Sequence, residues 1–407
     1  MRRIHTLSET VMQVLSERIG LQPGSAPTHL PPGVCQGIEA LSRLFTRERA
    51  GLASSYLDEA TLRRAYLSYY LPVNMAKVQA LLGEIRPELF EVDPSRPLSV
   101  LDLGSGPGTA ALGVCDWVSR TPAVSARTVD CVVVDRSLQA LREGERLWNA
   151  YAKLVPLRTD RLVVRSGDLE QVTPAMLSPD GGNRRYDLII AANVLGELFL
   201  SSRDPIRQRA TLVRDCLEVL RESGAMILIE PALRDASRDL HRVRDWLLNE
   251  QACTVYSPCL HERPCPALVK DDDWCHEERP WHAPALVKLI DEQVGFVKDA
   301  LKFSYLILRK DEQTIVPRAP GLYRVVSELR EMKGEKRVWL CSEEGRPEVG
   351  RLDRARAPAN AAFDHWHRGA IVKVEDIVRK VTKGRTAMVG RIPASAAVEV
   401  VRPVCGD

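Results

Sequence analysis

The densest chemistry in this chain sits in one run, Asp102-Leu103-Gly104-Ser105-Gly106-Pro107-Gly108. Glycines at 104, 106 and 108 leave the backbone bare over a tight turn, so a ligand can approach the main chain closely. If the turn opens a helix, its unpaired N–H groups add donors and positive potential. Asp102 precedes the first glycine by two residues, where a carboxylate orients the loop or faces a cationic amino-acid tail. A dinucleotide site instead places an anionic pyrophosphate there. Asp135 ends the run Val132-Val133-Val134-Asp135, where it would accept hydrogen bonds from both hydroxyls of a ribose. Its spacing from the glycines exceeds the ~20 residues of dinucleotide folds. Asp168, in Gly167-Asp168-Leu169, would meet an adenine amino group, and Asn193 follows a further apolar run. An acid after a strand is also an ordinary helix cap. Taken together, Asp102, Gly104, Ser105, Gly106, Gly108, Asp135, Asp168 and Asn193 point to a sulfonium nucleoside, S-adenosyl-L-methionine.

A second concentration lies at Cys259, Cys265 and Cys275, with His261 and His276 between and beside them. The spacing is neither the close Cys-x-x-Cys of common zinc sites nor the tight run of bacterial ferredoxins. Three thiols so near one another still suit a shared soft ion or cluster. The fourth ligand is expected at Cys341, with Cys253, Cys405, His261 and His276 as alternatives. Iron–sulfur and zinc are not separable by ligand type. With Cys341 as ligand, the metal would staple the C-terminal part onto the body.

The elements that must position these residues follow from apolar periodicity. Residues 1–90 read as a helical region, with apolar positions at helical spacing through Met12, Leu15 and Ile19 and again through Val78, Leu81, Leu82 and Ile85. Residues 91–312 alternate short apolar runs, at 98–103, 129–134, 162–164, 188–191, 226–229 and 303–308, with amphipathic stretches. That is an α/β pattern with a parallel sheet buried on both faces. Residues 253–282 read as a cysteine-rich metal insert, and 313–407 as a small basic β-rich domain with strands near 337–341, 349–352 and 370–374.

Hydrophobic residues make up 45% and charged residues 27% of the 407, an ordinary globular balance. Charge is unevenly spread: from Lys302 onward 21 Lys/Arg face 14 Asp/Glu, a net of +7, against −4 for the rest. A basic C-terminal part fits a nucleic-acid-facing module, and equally a solvated surface. No apolar run reaches the length of a transmembrane helix. The first residues carry Glu9 and Glu17 and fit neither a secretory signal nor an acid-poor transit peptide, so a cytoplasmic location is expected. Ten cysteines in that setting imply reduced thiols.

The acids and glycines in this order resemble the class I S-adenosylmethionine-dependent methyltransferase series. The loop, Glu230-Pro231, the Cys259–Cys265–Cys275 insert and the upstream Tyr69-Tyr70-Leu71-Pro72-Val73-Asn74 together resemble the methyltransferase-like family associated with the small subunit of the mitochondrial ribosome, bacterial relatives included. That resemblance covers roughly residues 65–345. It implies a small-subunit assembly factor contacting ribosomal RNA, and a [4Fe–4S] cluster on Cys259, Cys265, Cys275 and Cys341.

Catalysis is less legible. The segment Ala192-Asn193-Val194-Leu195 lacks the Asn/Asp-Pro-Pro-aromatic loop used for exocyclic amines. Cys259 and Cys265 are better used as ligands than as nucleophiles for pyrimidine carbon 5. Asn193 and Glu197 are candidate polar groups near a transferred methyl, and no catalytic residue is assigned. The expectation is a methyltransferase-like protein acting on or with small-subunit ribosomal RNA. The alternative is a non-catalytic iron–sulfur assembly factor. A small-molecule methyltransferase with a zinc staple ranks third.

Overall fold

The computed structural model describes residues 5–22, 27–49, 55–90, 96–155, 160–177, 185–379, 381–382, 385–386 and 388–404. The chain opens with helices α1 (Glu9–Ile19), α2 (Val34–Thr46) and α3 (Ala60–Ala65), a π-helical turn (Tyr66–Tyr70) and α4 (Leu71–Leu82). Ser8 starts α1 by accepting the Val11 N–H at 3.1 Å, and Gly20 ends it in the left-handed conformation. Eleven of the twelve residues of α4 are buried, Lys77 and Asn74 among them. An amphipathic surface helix would bury only one stripe, so α4 is an interior element.

The central sheet is built from β1 (Leu98–Leu103), β2 (Val129–Asp135), β3 (Arg161–Ser166), β4 (Tyr186–Ala192) and β5 (Leu220–Pro231). The connecting helices are α5 (Thr109–Arg120), α6 (Leu138–Leu154), the short α7 (Pro174–Leu177), α8 (Pro205–Val219) and then α9 (Arg234–Asn249). After α9 come β6 (Thr254–Ser257), β7 (Glu277–Pro280), α10 (Ala285–Val294) and β8 (Ala300–Arg309). Strand order is β3-β2-β1-β4-β5-β8-β6, with β7 also on β8. The first five strands run parallel and β8 runs antiparallel to β5. The expected α/β fold is therefore present, with a mixed sheet.

Alternation along each strand divides the core. Val100, Cys131, Val133, Leu188 and Ile190 face α1, α2, α4 and α5. Leu101, Val132, Val134 and Ile189 face α8 and α9. Burying both faces explains the nearly unbroken Val/Ile/Leu runs in the sequence. The order of strands reverses between β1 and β4, the place where open α/β sheets form a crevice at their carboxyl ends.

Two strands appear where only an insert was expected. β6 and β7 both pair with β8, so residues 253–282 are woven into the sheet edge. Each spans four residues, Thr254–Ser257 and Glu277–Pro280, too short to give a periodic signal.

The C-terminal strands are β9 (Leu322–Val325), β10 (Arg330–Met332), β11 (Glu335–Cys341), β12 (Glu348–Leu352), β13 (Ile371–Val374), β14 (Val381–Thr382), β15 (Arg385–Thr386), β16 (Val389–Arg391) and β17 (Val398–Arg402). Most join one sheet, β16-β12-β11-β9-β13-β17, closed over Val325, Val338, Leu340, Phe363 and Trp366. Buried ion pairs tie this sheet to the first. Arg324 of β9 donates to Tyr305 Oη at 2.9 Å and to Glu84 Oε1 at 3.3 Å, and Arg279 of β7 pairs with the same Glu84.

Candidate functional site

Gly104, Gly106 and Gly108 adopt φ of +63°, +52° and +71°, a region that side chains make costly, so the glycines are required for the turn itself. The loop is held by carboxylates. The Gly106 N–H donates to Asp135 Oδ2 and the Ser137 N–H to Asp135 Oδ1, both at 2.8 Å. Asp102 lies beneath the loop, where its Oδ2 accepts the Ala111 N–H of α5 at 3.0 Å. Burial, with the like charge of Asp135 adding to it, pushes the Asp102 carboxyl up to about 7. Bareness toward a ligand is only part of the glycines' use. A Cβ at Gly104 would run into Val194, and one at Gly106 would stand 3.3 Å from Leu57 Cδ1.

The crevice at the sheet's switch point opens into a cavity of about 620 Å³. Of the residues expected to bind the nucleoside, Gly104, Gly106, Asp135, Asp168 and Asn193 line it. Asp102, Ser105 and Gly108 are not in its wall. Ser105 and Asp102 are both buried, and Asp102 is engaged with the Ala111 N–H at the start of α5. Asp168 also caps the next turn, its Oδ1 accepting the Glu170 N–H at 3.0 Å, so the helix-cap role and a place on the cavity coexist. Asn193 has φ of +57° and a buried Nδ2 without a hydrogen-bond partner.

The opposite wall went unread in the sequence. It comes from the N-terminal helices: Phe45, Tyr56, Tyr66, Tyr70, Asn74 and Lys77. Residues 66, 70, 74 and 77 share one helical face, a spacing that carried the signal. Phe45 meets Tyr70 and Tyr56 edge-on, with centroids 5.0 and 5.5 Å apart. The Asn74 Nδ2 donates to Tyr66 Oη at 3.3 Å, and Lys77 Nζ donates to Asn74 Oδ1 at 3.0 Å. Burial, then the like charge of Lys298, brings the Lys77 ammonium down to about 7.

Two carboxyls complete the cavity. Burial, then the neighbouring Glu230, pushes Glu197 up to about 8. Burial pushes Glu230 up to about 7, against the Gly196 N–H that donates to its Oε1 at 3.2 Å. Groups titrating near neutrality inside a cavity are suited to moving protons. Glu197 was visible as a candidate from its loop, whereas Glu230 was legible only as a strand end.

The cysteines converge, but the expected metal site is not borne out as drawn. Burial raises the Cys341 thiol, and Cys275, Cys259 and Cys265 push it further, so the three insert cysteines and β11 share one neighbourhood. All four are free thiols. Among the described residues, no group of three or more His, Cys, Asp or Glu is arranged to hold a metal ion. Of the alternative ligands, Cys253 is raised to about 12 by burial and the nearby Glu262. His261 keeps both ring nitrogens buried without partners. His276 Nε2 lies 3.2 Å from Glu278. Cys405 lies outside the described residues. Buried Arg244 braces the insert by donating to the His261 and Arg263 carbonyls at 2.7 and 3.0 Å.

No helix among the described residues is long and apolar enough to cross a membrane. No curated protein matches the sequence. Among solved structures, the plantazolicin methyltransferase BpumL in complex with SAH shares 10% identity, covering 74% of this chain and 98% of its own, with a TM-score of 0.33. An O-methyltransferase family protein from Burkholderia thailandensis shares 12% identity, covering 74% and 76%, with a TM-score of 0.36. Likenesses this distant say nothing of substrate. The family described as mitochondrial small ribosomal subunit Rsm22 matches residues 60–351, well over half of the sequence. That description names a mitochondrial particle, so it does not carry the expected cytoplasmic location. The glycine loop, the cysteine insert and the cavity wall apart from residues such as Phe45 and Tyr56 lie inside the matched segment, and the chain belongs to the Rsm22 family.

Proposed function

We propose that the cavity binds S-adenosylmethionine and that the protein acts on or with the RNA of a small ribosomal subunit. One observation carries the first half. Gly104, Gly106, Asp135, Asp168 and Asn193, chosen for a sulfonium nucleoside, meet in one cavity at the sheet's switch point. The orphaned Asn193 Nδ2 leaves a donor there for a ligand. The second half rests on family membership. When bound, the nucleoside supplies an electrophilic methyl. The chain's own share is to fix the nucleoside between the loop and Asp135, to exclude water with the aromatic wall of Phe45, Tyr56, Tyr66 and Tyr70, and to accept a proton on Glu197 or Glu230. The test is tritiated methyl transfer to purified small subunits. Label with wild type and none with Gly106→Arg supports turnover. Tight nucleoside binding without label selects the second reading.

That second reading is a non-catalytic assembly factor that binds RNA and holds a [4Fe–4S] cluster on Cys259, Cys265, Cys275 and Cys341. The observation favouring it is the mutual influence of those four thiols beside Arg244 and Arg346. Four soft donors suit iron–sulfur chemistry. Anaerobic purification with iron, sulfide and zinc analysis tests it. Iron with labile sulfide supports the cluster, and stoichiometric zinc or no metal removes it. A cytoplasmic location goes with a bacterial member of the family and is tested by fractionation.

A further inference from the structure

Lys77 is 8% exposed and lies on a helix buried on nearly every side, yet it lines the cavity. Its ammonium has three donors. One is used on Asn74 Oδ1, and among the described residues Lys77 makes no ion pair. An interior ammonium in that state calls for an anion, because desolvation without a counter-charge is costly. The internal candidates do not fill the role. Glu230 raises the Lys77 ammonium only as the smallest contribution, and its own carboxyl is itself held up to about 7 by burial.

The amine is held in place. Asn74 donates to Tyr66 Oη and accepts from Lys77, which fixes its amide orientation, and Tyr66 stands beside Thr109 at the start of α5. The relay Tyr66–Asn74–Lys77 therefore runs from the helix that follows the glycine loop toward Glu230 at the tip of β5. The π-helical turn Tyr66–Tyr70 makes this possible. Such turns recur at functional sites, and this one places Tyr66, Tyr69 and Tyr70 on the cavity together with Asn74 and Lys77 of the next helix.

We propose that Lys77, positioned by Asn74 and Tyr66, binds the α-carboxylate of an amino-acid-bearing nucleoside. This rests on the S-adenosylmethionine reading above and adds a division of labour. The strand tips hold the nucleoside, and the N-terminal helices read its zwitterionic tail. The carboxylate supplies the missing anion for Lys77.

The experiment compares two probes by calorimetry on the full chain: S-adenosylhomocysteine, which carries the tail, and 5′-methylthioadenosine, which lacks it. Wild type should prefer the first by about tenfold to a hundredfold, the range of a charged hydrogen bond. Lys77→Met should lose most of that preference while keeping its affinity for methylthioadenosine within about twofold, and Lys77→Arg should restore part of it. Tyr66→Phe should fall between. Unchanged methylthioadenosine binding shows that the variants fold and that the nucleoside half of the cavity is intact. If Lys77→Met weakens both probes equally, or neither, the assignment of Lys77 is overturned while the nucleoside site stands. If wild type binds neither probe, the S-adenosylmethionine reading itself fails.

Discussion

The backbone N–H of Gly106 donates to Asp135 Oδ2 at 2.8 Å, fastening the middle glycine of the first strand–helix turn to the tip of the neighbouring strand. The other oxygen of Asp135 accepts the Ser137 N–H at 2.8 Å, so one carboxylate holds the starts of two connections at once. An asparagine offers one oxygen and turns its NH₂ toward an N–H. Asp135→Asn should cost about 1–3 kcal/mol, the penalty for a buried donor left unpaired. Urea denaturation measures the stability, and nucleoside affinity should fall with it. A variant as stable as wild type would mean that this bond is not what orders the loop.

Glu84 joins the two sheets. Burial works against its charge, but Arg279 and Arg324, with hydrogen bonds from Ser257 and Tyr305, hold the carboxyl down at about 2. Glu84→Gln would leave the two buried guanidiniums with only Glu277, 3.0 Å from Arg279 and 3.5 Å from Arg324, as shared counter-charge, at a cost of about 3 kcal/mol. Because the folded value lies below the ordinary 4.5, this stability is present above pH 4.5 and disappears as pH falls toward 2. Acid titration of the folded fraction should show that loss in wild type and not in Glu84→Gln.

The cavity carboxyls act in the opposite sense. Glu230 and Glu197 are raised to about 7 and about 8 from 4.5, so the folded chain keeps protons that the unfolded chain releases. Their contribution is complete below pH 4.5 and declines as pH rises through 8. Glu230→Gln keeps an acceptor for the Gly196 N–H and removes one of the two. Melting temperatures from pH 5 to 8 should therefore fall less steeply in Glu230→Gln than in wild type. Parallel slopes would show that Glu230 is not held protonated.

The C-terminal sheet has a core of its own. Phe363 and Trp366 pack at 4.7 Å between centroids, and both are fully buried. Trp366→Ala should cost about 3–5 kcal/mol, with the loss confined to that sheet. Hydrogen exchange should rise in β9, β11, β12 and β13 while β1, β2 and β4 stay protected. Equal deprotection of both sheets would mean that they unfold as one unit.

The apolar runs at 98–103, 129–134 and 188–191 determined the parallel strands by themselves, since a strand buried on both faces must be apolar along its length. The glycines of the first turn were equally legible, because φ above +50° at 104, 106 and 108 admits little else. Chain folding decided the rest. Only packing shows that Asp102 serves the loop while Asp135 also borders the cavity, since both are acids near a strand end. The basic excess after Lys302 overstated the free positive surface: Arg324, Arg346 and Arg351 are spent on Glu84, Asp273 and Asp364 inside the fold. Lys77 was hidden for the same reason in reverse. A lysine in a helix reads as solvent-facing until its neighbours cover it. That covering is set by contacts between distant segments, such as Gln79 to the carboxylate of Asp116, 37 positions further on, at 2.8 Å, which no local pattern encodes.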